Sequence, residues 1–191
     1  MKHVRLASAC LFTLAACASS SGGPTVTSTQ QSQTFTSGAS QYDLSSRETK
    51  DVLEQMILAP LDTAWRALPG VLLELDIEPG TVDQKAHVIS NTSFVVRRSL
   101  GGAPLSRYVN CGTSIGGAMA DHMKVTLSLE VQVVAADSIG VSKLRSQLDG
   151  WGVDEAVSST RVHCGSTGQL ELRIARMVND DLSHRTKKAA P

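Results

Sequence analysis

The chain has 191 residues, with 18 Lys and Arg against 18 Asp and Glu. Balanced charge offers no clustered basic footprint for nucleic acid, and two Trp, two Tyr and three Phe leave little aromatic surface for stacking bases or sugars. This length suits a single folded domain, and no second long apolar run follows the N-terminal one.

The first element is a leader. Lys2 and Arg5 form a positive start, and Leu6 to Ala16 is a short run of apolar and small residues. A spanning helix needs about 20 residues, so residues 1–16 read as a secretory signal peptide. Without Lys2 and Arg5, the 18 basic residues fall to 16 against 18 acidic, a formal charge of about −2. The leader ends in Leu14-Ala15-Ala16-Cys17, which resembles the lipobox of bacterial lipoprotein precursors. That resemblance implies cleavage before Cys17, a diacylglyceryl group on its thiol and an acyl chain on the freed amine. Two or more chains hold a protein on a membrane stably, whereas one ~14-carbon chain binds marginally. Cys10 also follows small residues but leaves almost no hydrophobic stretch between the charges and a cut. A soluble secreted protein cleaved at another small-residue site is the alternative. Ala18 stands after Cys17 where Asp would retain a lipoprotein. This resembles the enteric pattern sorted to the outer membrane, and it implies the periplasmic face.

From Ala18 to about Ser46 the chain is rich in Ser, Thr, Gln and Gly, too polar to offset its own ordering entropy. Residues 17–47 therefore read as the lipidated cysteine and a flexible tether. Residues 48–184 read as one α+β domain, and residues 185–191 as a basic tail. Asp51 to Leu58 is expected to be a strand, although its apolar residues also fit a helical turn. Pro60 suits a first helical turn. Leu61, Ala64, Trp65, Leu68, Leu72 and Leu75 then recur at helical spacing, with a kink or break expected at Pro69-Gly70. Strands are expected at Thr81–Asp83, Ala86–Ser90, Ser93–Leu100 and Arg107–Cys111. Lys124 to Ala136 alternates apolar and polar residues, the period of a strand with one buried face. Ile139–Leu148 and Ser159–Cys164 follow, separated by a Gly-Trp-Gly loop at 150–152. Ser166 and Gln169 form a capping-box pattern, opening a helix whose apolar face is Leu170, Ile174, Met177, Val178 and Leu182.

With Cys10 removed and Cys17 lipidated, Cys111 and Cys164 remain. In an oxidising compartment they are expected to pair as one disulfide, closing a loop of about 54 residues for roughly 4 kcal/mol. Two separately buried thiols are the alternative. The fold class is α+β: a two-layer arrangement with an antiparallel sheet packed by one N-terminal and one C-terminal helix. Over Asp51 to Ser183 this element order, together with the lipobox, resembles the helix-grip domains of outer-membrane lipoproteins, including a lipoprotein component of the barrel-assembly machine. That likeness implies a scaffold or assembly role.

Gly112-Thr113-Ser114-Ile115-Gly116 matches the nucleophile-elbow pattern, and Asp149 or Asp154 and then His163 follow in serine-hydrolase order. Only about eight residues separate Gly116 from the strand at Lys124, too few for the helix that supports such an elbow. A glycine-rich turn is therefore expected. No phosphate-loop or dinucleotide motif is present. His87, His122 and His163 stand singly, so no metal and no other cofactor is expected. The stretch Gly112–Met123, with Met119 and Met123, is a weaker candidate for partner docking, since flexible Met-bearing surfaces adapt to apolar partners. The expectation is a lipid-anchored envelope protein, held to the membrane through Cys17, that binds an envelope protein without catalysis or nucleic acid. A lipid or apolar small-molecule module, and a hydrolase using Ser114, are the alternatives.

Overall fold

The structure, a computed structural model, describes residues 29–37, 40–48, 52–155 and 160–189, with side chains for all of these except 29–48, 186 and 189. The expected leader, with Cys10, and the expected lipidation site Cys17 lie outside the described residues. The elements are β1 (Thr29–Ser37), β2 (Ser40–Glu48), β3 (Leu53–Ile57), α1 (Leu61–Glu74), β4 (Thr81–Asp83) and β5 (Val88–Arg97). Short strands β6 (Ser99–Leu100), β7 (Ala103–Pro104), β8 (Val109–Asn110), β9 (Thr113–Ser114) and β10 (Gly117–Ala118) follow. Then come β11 (Lys124–Ala135), β12 (Ser142–Val153), β13 (Arg161–His163), β14 (Gly165–Ser166) and α2 (Gln169–Ala189).

The alternation in β11 decides the architecture. Val125, Leu127, Leu129, Val131 and Val133 are all buried on one face, because successive side chains of a strand point to opposite sides. β11 pairs antiparallel with β12 along its whole length and with β5 on its other edge, and β4 closes that side. The free edge of β12 is shared: β3 pairs with Ser142–Ser146 and β13 with Trp151–Val153. Both helices lie on the buried face of this six-stranded sheet. Their apolar stripes, Ala64, Leu68, Val71 and Leu72 from α1 and Leu170, Ile174, Val178 and Leu182 from α2, fill the space against it. Each large side chain so buried contributes roughly 1.5–3 kcal/mol. The fold is α+β, with one helix before the main strands and one after them.

Cys111 and Cys164 are joined, with an S–S distance of 2.04 Å. β8 and β14 flank this bond and pair through Asn110 and Gly165, so the cysteines do sit at neighbouring strand ends. Asn179 of α2 fastens the end of β3, accepting from the Leu58 N–H at 2.9 Å and donating to the Met56 carbonyl at 3.2 Å.

Several expectations are corrected. Helix α1 runs unbroken from Leu61 to Glu74 through Pro69. The roughly 3 kcal/mol cost of an interior proline is met by burial of Leu68, Val71 and Leu72 around it. The two strands expected at 86–90 and 93–100 are one strand, β5, whose register shift sets Thr92 and Ser93 opposite Ser128. That is a bulge, and its two polar residues read as a break in the sequence. The strand expected over Arg107–Cys111 begins instead with a 3₁₀ turn, Leu105–Arg107, and pairs only at β8.

Gly150-Trp151-Gly152 is not a loop but the body of β12, opposite Leu127, Thr126 and Val125. Ser166 does not cap through Gln169. Its hydroxyl accepts from the Gly168 N–H at 2.9 Å and donates to Glu171 at 2.6 Å. α2 continues to Ala189, through most of the expected tail. Residues 29–48 lie mostly within the stretch expected to be a tether, yet they pair as the β1–β2 hairpin, with β2 beside β9 and β14. A lone hairpin is marginal in water, so this contact with the domain accounts for pairing in so polar a segment.

Candidate functional site

The elbow-like serine lies in a turn between two short strands and not between a strand and a helix. Ser114 sits in the β9–β10 hairpin, and its hydroxyl donates to the Gly117 carbonyl at 3.4 Å, its single partner among the described residues. His122 faces the Gly116 carbonyl at 3.1 Å across the same turn. Asp121 is structural: it accepts from the Ser106 N–H at 2.8 Å and the Ser106 hydroxyl at 2.7 Å, tying two 3₁₀ turns together. In the Gly112–Met123 stretch Met123 is buried and Met119 packs against the core, leaving Ile115 as the exposed apolar tip. No group of His, Cys, Asp and Glu among the described residues could hold a metal.

A different cluster forms on the face of the sheet that the helices leave open. Register places His163 of β13, Trp151 of β12, Thr126 of β11 and Val95 of β5 in one row across four strands, roughly 14 Å from end to end at strand spacing. Trp151 is 47% exposed and Val95 54% exposed. The Trp151 ring meets the His163 imidazole edge-on, with centroids 4.9 Å apart and planes at 69°. His163 is itself held by Asp149, Nε2 to Oδ1 at 2.6 Å. Asp149 precedes Trp151 by two positions on β12 and so projects from the same face. The indole is thereby fixed from the side by a ring that is fixed in turn.

Beyond Trp151 lies a concavity of about 350 Å³ lined by Ser93, Lys124, Thr126, Val153, Glu155 and Arg161. Glu155 bridges Arg97 at 2.9 Å and Lys124 at 3.5 Å, and the Arg97 guanidinium chiefly holds its carboxyl below the usual value. Farther along the same face Glu54 binds Arg145 at 2.6 Å and Lys143 at 3.6 Å, and the Arg145 hydrogen bond lowers its carboxyl likewise. The open face thus carries an apolar and aromatic row flanked by two ion-pair clusters, in each of which one carboxylate is shared between two cations.

Asp149 and His163, which follow Ser114 in serine-hydrolase order along the chain, meet each other beside Trp151. Trp151 escapes notice as a surface group in the sequence because its flanking glycines suggest a turn. The period-two pattern, continued from Asp149 to Val153, sets Asp149, Trp151 and Val153 on one side. No protein-family profile matches the sequence, and neither a curated protein nor a solved structure is significantly similar to it.

Proposed function

We propose that this chain is a lipid-anchored envelope protein that acts by binding a protein partner through the open face of its sheet, without catalysis. The leader and the Leu14-Ala15-Ala16-Cys17 motif support the anchor, and Ala18 supports the periplasmic face of the outer membrane. The observation that carries the binding reading is Trp151, half exposed yet held by His163 and Asp149. A rigid aromatic beside an apolar neighbour is the residue type that dominates interface energetics, because little side-chain entropy is lost when it is buried. The glycine-rich turn that engages Ser114 supports a non-catalytic role.

In-cell photo-crosslinking tests the reading. A photoreactive residue at Val95 should yield one discrete protein adduct that Trp151→Ala abolishes, while the same probe at Ile139, at the far end of the sheet, should not. Absence of the adduct, or an adduct indifferent to Trp151→Ala, overturns the docking surface. Labelling by a serine-reactive probe that Ser114→Ala removes would overturn the non-catalytic role.

A further inference from the structure

Away from the open sheet face, the outer side of α2 borders a cleft of about 410 Å³ into which three arginines gather: Arg107, Arg173 and Arg176. Arg173 and Arg176 lie three apart on α2 and so share a helix face. Arg107 comes from the 3₁₀ turn, and that turn is pinned to the start of α2. Thr167 donates its hydroxyl to the Arg107 carbonyl at 2.6 Å and its N–H to the Tyr108 carbonyl at 2.9 Å.

Arg173 is held in place on two sides. It donates to the hydroxyl of Tyr108, a fully buried residue, with its guanidinium carbon 6.0 Å from that ring's centroid. On its other side is Gly101, where a Cβ would come within 3.3 Å of Arg173 Nη1 and 2.9 Å of Leu75. With φ of +54°, Gly101 also sits in the left-handed region natural to glycine. The backbone is therefore open where the guanidinium needs room.

None of the three arginines forms an ion pair among the described residues. Asp180 also lines the cleft, and it balances one of the three charges, leaving a surplus of about two. Like charges gathered without counter-charges repel one another, and an anion seated among them relieves that cost. Guanidinium forks match the oxygens of a phosphoryl group in pairs. The cleft's size is that of a ligand pocket rather than of a lone ion.

We propose that this cleft binds the phosphate group of a phosphate monoester or a phospholipid headgroup, with Arg107, Arg173 and Arg176 as its donors. The full chain in neutral detergent, titrated calorimetrically with glycerol phosphate at constant ionic strength, should bind saturably. The double variant Arg107→Ala, Arg176→Ala removes two exposed side chains and should leave the unliganded melting temperature unchanged. Charge-assisted hydrogen bonds are stronger than neutral ones, so that variant should weaken binding by at least about tenfold. Arg173→Lys keeps the charge but loses the fork, and it should weaken binding as well.

Phosphatidylglycerol mixed into the detergent micelles that competes with glycerol phosphate, where phosphatidylcholine does not, identifies a headgroup as the source. Absence of competition identifies a soluble ester. No saturable binding, or undiminished binding by the double variant, overturns the proposal and leaves the sheet-face reading to its own test.

Discussion

A carboxyl group sealed from water resists ionisation, and Glu171 is in that position. It is buried in the first turn of α2, with one oxygen bonded to Ser166 and the other without a partner among the described residues. Burial raises its titration above the usual value, and the Ser166 hydrogen bond opposes this only in part. The folded chain then keeps the Glu171 proton to higher pH than the unfolded chain does. Stability therefore falls as pH rises from the unfolded value, near 4.5, through the raised folded one. Glu54 and Glu155 have the opposite sign. Their contribution is present above the unfolded value and is lost as pH falls through the lowered folded values, and solvent exposure keeps it small. Glu171→Gln should abolish the loss at rising pH. In urea unfolding between about pH 4 and 8, the stability of the variant relative to the original chain should increase with pH. A constant difference across that range would show that Glu171 ionises freely.

Glycine has two opposite uses in the elements, and substitution separates them. In β12 a Cβ on Gly150 would stand 2.6 Å from Leu127 Cδ2 and 3.0 Å from the Thr126 carbonyl oxygen, so the neighbouring strand's backbone must give way. Gly150→Ala should cost about 1–3 kcal/mol, the usual range for overpacking. In α1 nothing lies within 4 Å of a Cβ on Gly70. Gly70→Ala should stabilise by about 0.5–1 kcal/mol through reduced freedom of the unfolded chain. Chemical denaturation of both variants checks the pair, and equal signs would refute the argument.

The same residues explain what the sequence made legible. β11 was readable because its alternation is set by one buried and one wet face, and the apolar face of α2 because its spacing is helical throughout. Gly150 and Gly152 were misread because close approach between strands, visible only in the packing, demands the same residue type as a turn. At Pro69 the helix does not break, because tertiary burial outweighs the local chemistry that disfavours proline there. The arginine cleft and the Trp151 row join residues from separate elements. Neither leaves a signal in any one stretch of the chain.

At the scale of the whole molecule, the placement of β1 alters how the domain stands relative to a membrane. If Cys17 carries the anchor, only the chain from Cys17 to Thr29 separates it from structure that touches the domain. At 3.3–3.6 Å per residue, that segment spans at most about 40 Å in any conformation. The domain is then confined near the headgroups, within reach of membrane-bound partners and of the lipids themselves. No helix among the described residues is long and apolar enough to cross a membrane. Attachment in this reading rests on acyl chains, each worth ~0.8 kcal/mol per buried methylene. Replacing Cys17 with Ser removes the thiol that carries them. The chain made in cells with Cys17→Ser should lose palmitate labelling, keep its leader uncleaved at residue 16, and show a reduced membrane fraction after carbonate extraction. Cys10→Ser should behave as the original chain does, because that cysteine departs with the leader. Palmitate incorporation that survives Cys17→Ser and disappears with Cys10→Ser would move the anchor and the cleavage site together, adding seven residues to the span and weakening the confinement.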